Sequence, residues 1–453
     1  MPSDEAGPLC PLEFRYGRPE VRALFSRELR LRRALRVEGA LAETQGELGL
    51  IPPEAAKAIA RAVAGEGVRL ARVDELEASL RHDVMSIARA LAEEAGAAGA
   101  WVHFGATSAD ITDTALALEL QESLRVLRAD LTGLAVVLLD LAERHRATAE
   151  VGRTHGQHAV PQSFGYKAAV GAAEVLRHRQ RLDELTPRVA VGKMAGAVGT
   201  GAGFGPNAAE VEARVMHRLG LAADEAPTQI VGRDRIAEFT NLLALIAGTC
   251  ERLATEVRNL QRTEIAEVAE AFDEAHQVGS STMAQKRNPM LSENVTSLAR
   301  LVRAFALTPL ENMAQWHERD LTNSANERIV LPHAVVLADD ILAKLARVFR
   351  ELSVDPVAME RHLAASGGGA MTERLMLALT AKGLPREDAH ELLRTLTRDL
   401  ASGEPLAARA SADPRVVRWL TPAEVVDLLD PREYVRAATE KTDRVVARLR
   451  AEL

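Results

Sequence analysis

An all-α protein with long central helices is the architecture to expect from this chain, for three reasons. Aromatic residues make up only 3% of 453 while hydrophobic residues make up 47%, so the core is built mainly from Leu, Ala, Val and Ile. Alanine and leucine carry high helix propensity. No proline occurs between Pro227 and Pro289, and Ile236 to Ala275 holds a single glycine, Gly248. Inside that stretch Leu242, Leu245, Ile246, Cys250, Leu253, Val257 and Leu260 recur three and four apart, the repeat of a helical stripe. A pattern of ~40 residues exceeds an ordinary globular helix and predicts a long bundle helix.

Proline and glycine spacing orders the rest into three regions, 1–105, 106–355 and 356–453. The central region holds further helical stretches at 112–148, 162–186 and 290–353, the last interrupted by Pro309 and Pro332, each able to turn or kink the chain. Glycines at 192, 196, 199, 201, 203 and 205 predict a loop, which suits either close backbone approach to a ligand or a flexible linker. After residue 355 the helices become shorter, punctuated by Pro356, Gly367 to Gly369, Pro385, Pro405, Pro414, Pro422 and Pro431. No period-2 strand blocks stand out. Long helices with exposed apolar stripes are hard to bury in one chain, so association through a helix bundle is expected.

Composition narrows the function. A net charge of −8 argues against general nucleic-acid binding, which wants a basic face. Cys10 and Cys250 fit no metal-ligand spacing and no disulfide framework, which points to a reducing, cytoplasmic setting. The start of the chain is acidic and lacks the apolar run of a secretory signal. The apolar run Leu134 to Leu139 falls far short of the ~20 residues that span a bilayer. Walker, dinucleotide-binding, zinc and Gly-x-Ser-x-Gly patterns are all missing, so neither metal nor organic cofactor is implied.

Five polar clusters could carry chemistry. Arg81-His82-Asp83 follows an acidic helical stretch. His103 to Asp110 sets a glycine, Thr107 and Ser108 ahead of a long helix, where free N–H groups suit either an anion or simple capping. Arg153-Thr154-His155-Gly156-Gln157 places a histidine among donors in a loop before Pro161, a candidate general acid or base. Gly279 to Pro289 reads Gly-Ser-Ser-Thr-Met-Ala-Gln-Lys-Arg-Asn-Pro. Its hydroxyls and backbone donors, with Lys286, suit an anionic substrate, although a polar interhelical loop uses the same residues. In the fifth, His317 to Arg328, a continuous helix would put Arg319 and Arg328 on opposite sides, whereas a bent chain would let them converge with Ser324 on a phosphate. Ion pairs with Glu318 and Glu327 are the alternative for those arginines.

Together these clusters resemble the fumarase/aspartase superfamily, whose hallmark is Gly-Ser-Ser-x-Met-Pro-x-Lys-x-Asn-Pro, here Gly279 to Pro289 with Ala284 in place of proline. Within it the chain looks most like the adenylosuccinate lyases, from about Arg15 into the C-terminal region. Arg15-Tyr16, Thr228-Gln229, Arg233 to Arg235, Trp316 to Asp320 and Ser324 to Arg328 add to the likeness. The resemblance implies a fumarase/aspartase-like three-domain fold with a central long-helix bundle, and a homotetramer whose active sites are each assembled from three subunits. It implies β-elimination of fumarate from a succinylated nucleotide, with a small-molecule partner, no nucleic acid and no membrane.

By position the resemblance makes Ser281 the base, His155 the general acid, and His82 an assisting histidine at the nucleotide side. It gives Glu293 the task of orienting His155. Lys286, Thr107, Ser108, Gln229, Ser280 and Asn288 match carboxylate and developing-charge contacts. Arg15, Tyr16, Arg319, Ser324 and Arg328 match the phosphate set, and Arg81, Asp83, His103 and Thr154 fall within matching motifs. Two departures stand out: Ala284-Gln285 replaces Pro followed by His or Tyr, and His158 stands where the family often has proline. A 3-carboxy-cis,cis-muconate cycloisomerase or a C–N lyase on another succinyl-amine adduct is the alternative activity. A non-catalytic relative is the third reading, and the presence together of His82, His155, Ser281 and Lys286 argues against it.

Overall fold

The structure, a computed structural model, describes residues 9–273, 275–279, 281–398, 400 and 405–453. Helices dominate it. The longest are Ser108–Arg144, Phe164–Val189, Asp234–Leu260 and Ser324–Arg350. Strands among the described residues are confined to an antiparallel hairpin, β1 (Ala149–Thr154) with β2 (Gln157–Ser163), and two-residue bridges. The bridges are β3 (Val191–Gly192) parallel to β4 (Ala222–Ala223), and β5 (Val268–Ala269) antiparallel to β6 (Ser353–Val354).

Two compact units result, each drawn from three stretches of chain. The first comprises residues 1–131, 178–248 and 297–342. One of its cores packs Val37 and Leu41 of the Arg27–Glu47 helix with Val84, Ile111, Leu118, Phe204 and Val215. A neighbouring core packs Leu31 and Leu35 with Ile59, Val73 and Leu91. The second unit comprises 132–177, 249–296 and 343–453. Its short C-terminal helices close on Leu375, Leu379, Leu393, Leu406, Val416 and Val425. Each such side chain contributes about 1.5–3 kcal/mol on burial.

The stripe that predicted the central helix is real but shorter. Leu242, Ile246, Cys250, Leu253, Val257 and Leu260 are buried, while Leu245 is exposed. The helix ends at Leu260 rather than near 275. There the Arg262 carbonyl accepts from the N–H groups of both Ile265 and Ala266, a tight turn that redirects the chain. Pro309 lies in the short Leu307–Glu311 helix, after which 312–323 is non-helical. Pro332 sits inside the Ser324–Arg350 helix without ending it. The hairpin corrects the expectation of a plain loop around residues 153–157, and its pairing is interrupted by an irregularity between Val151 and Arg153.

Candidate active site

The polar motifs occupy chain corners. Among the described residues five non-glycine residues adopt left-handed backbone, Arg81, His103, His155, Ala266 and His317, and all but Ala266 belong to the motifs. Such conformations cost free energy and persist only where surrounding contacts impose them.

Arg81 ends the Leu70–Leu80 helix and His82 begins the next, its Nδ1 accepting from the Met85 N–H at 3.3 Å. Asp83 accepts from Arg328 Nη2 at 2.7 Å. These residues line a cavity of about 750 Å³ in the first unit together with Ser108, Arg319, Ser324 and Arg328. The non-helical stretch before Ser324 lets Arg319 and Arg328 line the same cavity. Neither arginine pairs with the predicted glutamates. Arg319 Nη1 donates to Gln229 Oε1 at 3.1 Å, and its buried Nε has no partner. Glu327 instead binds Arg233, which also donates to Asp113 at 2.8 and 3.0 Å. Burial alone would weaken the Arg233 charge, but the two carboxylates hold it firmly protonated.

Sequence reasoning missed the arginines on the opposite wall. Arg27, Arg30 and Arg33 line the same cavity, spaced three apart on one helix face. That spacing was the available signal. Arg33 is nearly fully buried against Glu119 and Glu122.

The loop ahead of the Ser108–Arg144 helix is braced from several sides. Asp110, fully buried, accepts from the N–H groups of Thr107, Ala195 and Gly196 and binds Lys193 Nζ. The glycine-rich segment is therefore packed rather than a flexible linker. His103 Nδ1 meets the buried Glu38 at 2.7 Å. Burial lowers the His103 pKa, but Glu38 outweighs it and the imidazole is shifted upward. His103 and Thr107 do not line the cavity. Arg15 and Tyr16 lie on an N-terminal segment anchored by Gly17 and Arg18 to Asp340 and Asp339, and they also stand outside it.

The remaining candidates belong to the second unit. Thr154 pairs with Gln157 across a two-residue turn, with His155 at φ 55° and Gly156 at φ 74°, the geometry of a type I′ hairpin. His155 is thus presented, exposed, at the tip of a rigid arm. Just behind that tip the arm is held by Arg153, which donates to Glu267 at 2.8 and 2.6 Å.

In the signature loop Asn288 Nδ2 donates to the Gly279 carbonyl at 3.0 Å, drawing the two stems together. Gly279 is required there, because a Cβ would meet the Lys286 carbonyl at 2.1 Å. Ser281 is exposed, and Lys286, Asn288 and Glu293 border a cavity of about 740 Å³ with Arg258 and Arg262. No hydrogen bond joins Glu293 to His155 among the described residues, and Ser280 lies outside them. The described residues contain no cluster able to hold a metal ion. No helix among them is long and apolar enough to cross a membrane.

This combination of helical units, arginine-lined cavity and serine–lysine loop has clear relatives. A family model described as a lyase matches residues 13–304, which sets the class as a lyase of the fumarase/aspartase superfamily. A second, described as the adenylosuccinate lyase C-terminus, matches residues 368–445. Adenylosuccinate lyase of Methanothermobacter thermautotrophicus is 45% identical, covering 96% of this chain and 98% of its own. That of Pyrococcus abyssi is 44% identical over 96% and 97%. Among solved structures, a fumarate lyase from Mesorhizobium sp. BNC1 superposes with a TM-score of 0.87 at 32% identity, covering 95% of this chain and 98% of that one. The 3-carboxy-cis,cis-muconate lactonizing enzyme of Pseudomonas putida gives 0.86 at 33%, covering 96% and 98%. The chain belongs to the adenylosuccinate lyase family.

Proposed function

We propose that this enzyme splits adenylosuccinate into AMP and fumarate, and its succinyl-aminoimidazole-carboxamide ribotide analogue likewise, in purine nucleotide biosynthesis. The observation that carries the reading is the convergence of Arg81, Ser324, Arg319 and Arg328 on one cavity with His82. A carboxymuconate has no phosphate to meet these arginines and the buried Arg319 Nε. The relatives from Methanothermobacter thermautotrophicus and Pyrococcus abyssi carry the same activity in their names.

In the reaction the Ser281 alkoxide removes the proton from the carbon beside a succinyl carboxylate. Lys286 and Asn288, with Thr107, Ser108, Thr154, Gln229 and Ser280, hold the carboxylates and the charge that develops on them. The C–N electron pair then leaves with the purine nitrogen, which takes a proton from His155 while fumarate departs. Glu293 would orient the His155 of a neighbouring subunit, since the two do not bond within one chain, and Asp83 and His103 support the nucleotide side with Arg15 and Tyr16. A serine is a poor base at its ordinary pKa, so the alkoxide depends on the surrounding N–H donors and cations. Exposure of both His155 and Ser281 supports a homotetramer in which neighbouring subunits complete each site. A cytoplasmic location suits the two free cysteines.

The test is turnover of adenylosuccinate by the purified protein, with both products confirmed by mass. His155→Ala should abolish elimination with the assembly intact. Conversion of a carboxymuconate in place of adenylosuccinate by the folded protein would overturn the reading.

A further inference from the structure

Glu267 is a fully buried carboxylate that none of the roles above uses. It stands where three parts of the second unit meet. Arg153, on β1 and two residues before the hairpin turn, donates to it in bidentate fashion at 2.8 and 2.6 Å. His362, on the Pro356–Ala365 helix, places Nδ1 2.7 Å from its Oε1. Its own N–H donates to the Leu260 carbonyl, closing the turn that ends the central helix, and its carbonyl accepts from the Asp355 N–H. Ala266 holds a left-handed φ of 52° immediately before it, a conformation alanine adopts only under constraint.

From Glu267 the chain enters the stem of the signature loop. Three residues on, Glu270 accepts from the N–H groups of Leu291 at 3.1 Å and Ser292 at 2.7 Å, at the loop's far end. One carboxylate therefore pins the turn end of the hairpin to the first stem, and the next fastens the first stem to the second. A surface ion pair would tolerate loss of either partner; a buried bidentate pair would not.

We propose that Glu267 is a positioning residue that sets the His155 hairpin in register with the base of the 279–289 loop, acting through Arg153. This rests on the reading of His155 as the proton donor. Charged and titratable groups around Arg153 are Glu267, His362 and His158, with Glu150 on β1, Lys167 on the following helix and Glu256 on the Asp234–Leu260 helix. Replacing Glu267 by Gln removes the one carboxylate bonded to Arg153, two residues from His155, and leaves only Glu150 and Glu256 to offset its charge. A less compensated cation depresses the pKa of a nearby imidazole.

The experiment measures kcat and KM for adenylosuccinate against pH in the wild type, Glu267→Gln, Arg153→Lys and His155→Ala proteins. Glu267→Gln should lower kcat about tenfold or more with KM within about twofold, as expected for a displaced proton donor. It should also move the histidine limb of the kcat profile to lower pH. Arg153→Lys keeps the charge but not the paired donors; it should lower kcat less and leave the limb in place. It also serves as the independent test if Glu267→Gln does not fold. A uniform scaling of the profile, as a smaller folded fraction gives, or wild-type kinetics in the folded variants, overturns the proposal. Wild-type turnover by His155→Ala overturns the underlying site reading instead, whatever Glu267→Gln does.

Discussion

Asp130 and Asp339 share one guanidinium. Arg18 Nη2 donates to Asp130 at 2.6 Å while its Nε bonds both oxygens of Asp339 at 2.9 and 3.1 Å, and one cation cannot fully offset two neighbouring carboxylates. Burial and the nearness of Asp339 push the Asp130 carboxyl up to about 8. An unfolded aspartate releases its proton near about 4. Between those values the folded state holds the extra proton, so this contribution to stability is greatest at the acid end and is lost as pH rises through 8. Asp130→Asn should flatten the fall in Tm between roughly pH 5 and 8, read by thermal unfolding across that range. An unchanged slope would exclude Asp130 as its source. The buried Glu150, pushed up to about 7, adds a fall of the same sign.

Lys193 and Asp110 are both fully buried, and Asp110 also gathers the loop N–H groups described above. Lys193→Met strands that carboxylate. It should cost about 3–5 kcal/mol in urea unfolding, with the Lys193→Met, Asp110→Asn double variant recovering part of the loss.

Arg328 is mostly exposed and its pair with Asp83 contributes little to stability. Arg328→Ala should leave Tm within a degree or two, an amount of the order that a surface change produces. Its effect should appear on the phosphorylated substrate, raising KM by about ten- to a hundredfold while kcat holds, since a lost charge-assisted bond is worth about 1.5–3 kcal/mol. An unaltered KM would remove Arg328 from the phosphate site.

Gly279→Ala addresses the signature loop. With the Lys286 carbonyl in the way, the stems must part and Lys286 and Ser281 move with them. Turnover should drop about tenfold or more because small displacements of reacting groups are expensive. Tm should barely change, because the loop lies outside the packed cores.

The long helices were legible because their apolar repeat is local, and Leu242 to Leu260 lie buried as the period demands apart from Leu245. The helix end at Leu260 was not, since Ala266 takes a backbone conformation its side chain does not advertise. The hairpin escaped because glycine, Pro161 and the irregularity after Val151 break the alternation that marks a strand. In the site, motif residues Arg81, His82, Asp83, Arg319 and Arg328 do converge. Glu38, Lys193 and Glu267 were invisible because their partners lie from 65 to 114 residues away, and pairing at such distance leaves no spacing to read.

Neither compact unit is written in one continuous piece of chain, and that has a bearing on its synthesis. Residue 342 must have left the ribosome before the first unit owns all its parts, and the second waits for the 343–453 stretch. At ordinary elongation rates the earliest helices spend roughly tens of seconds without their partners. Their apolar stripes are then open to the wrong neighbours. A product terminated before residue 342 would carry no finished unit, so nascent chains of this enzyme should depend on holding chaperones far more than a chain whose domains emerge one after another.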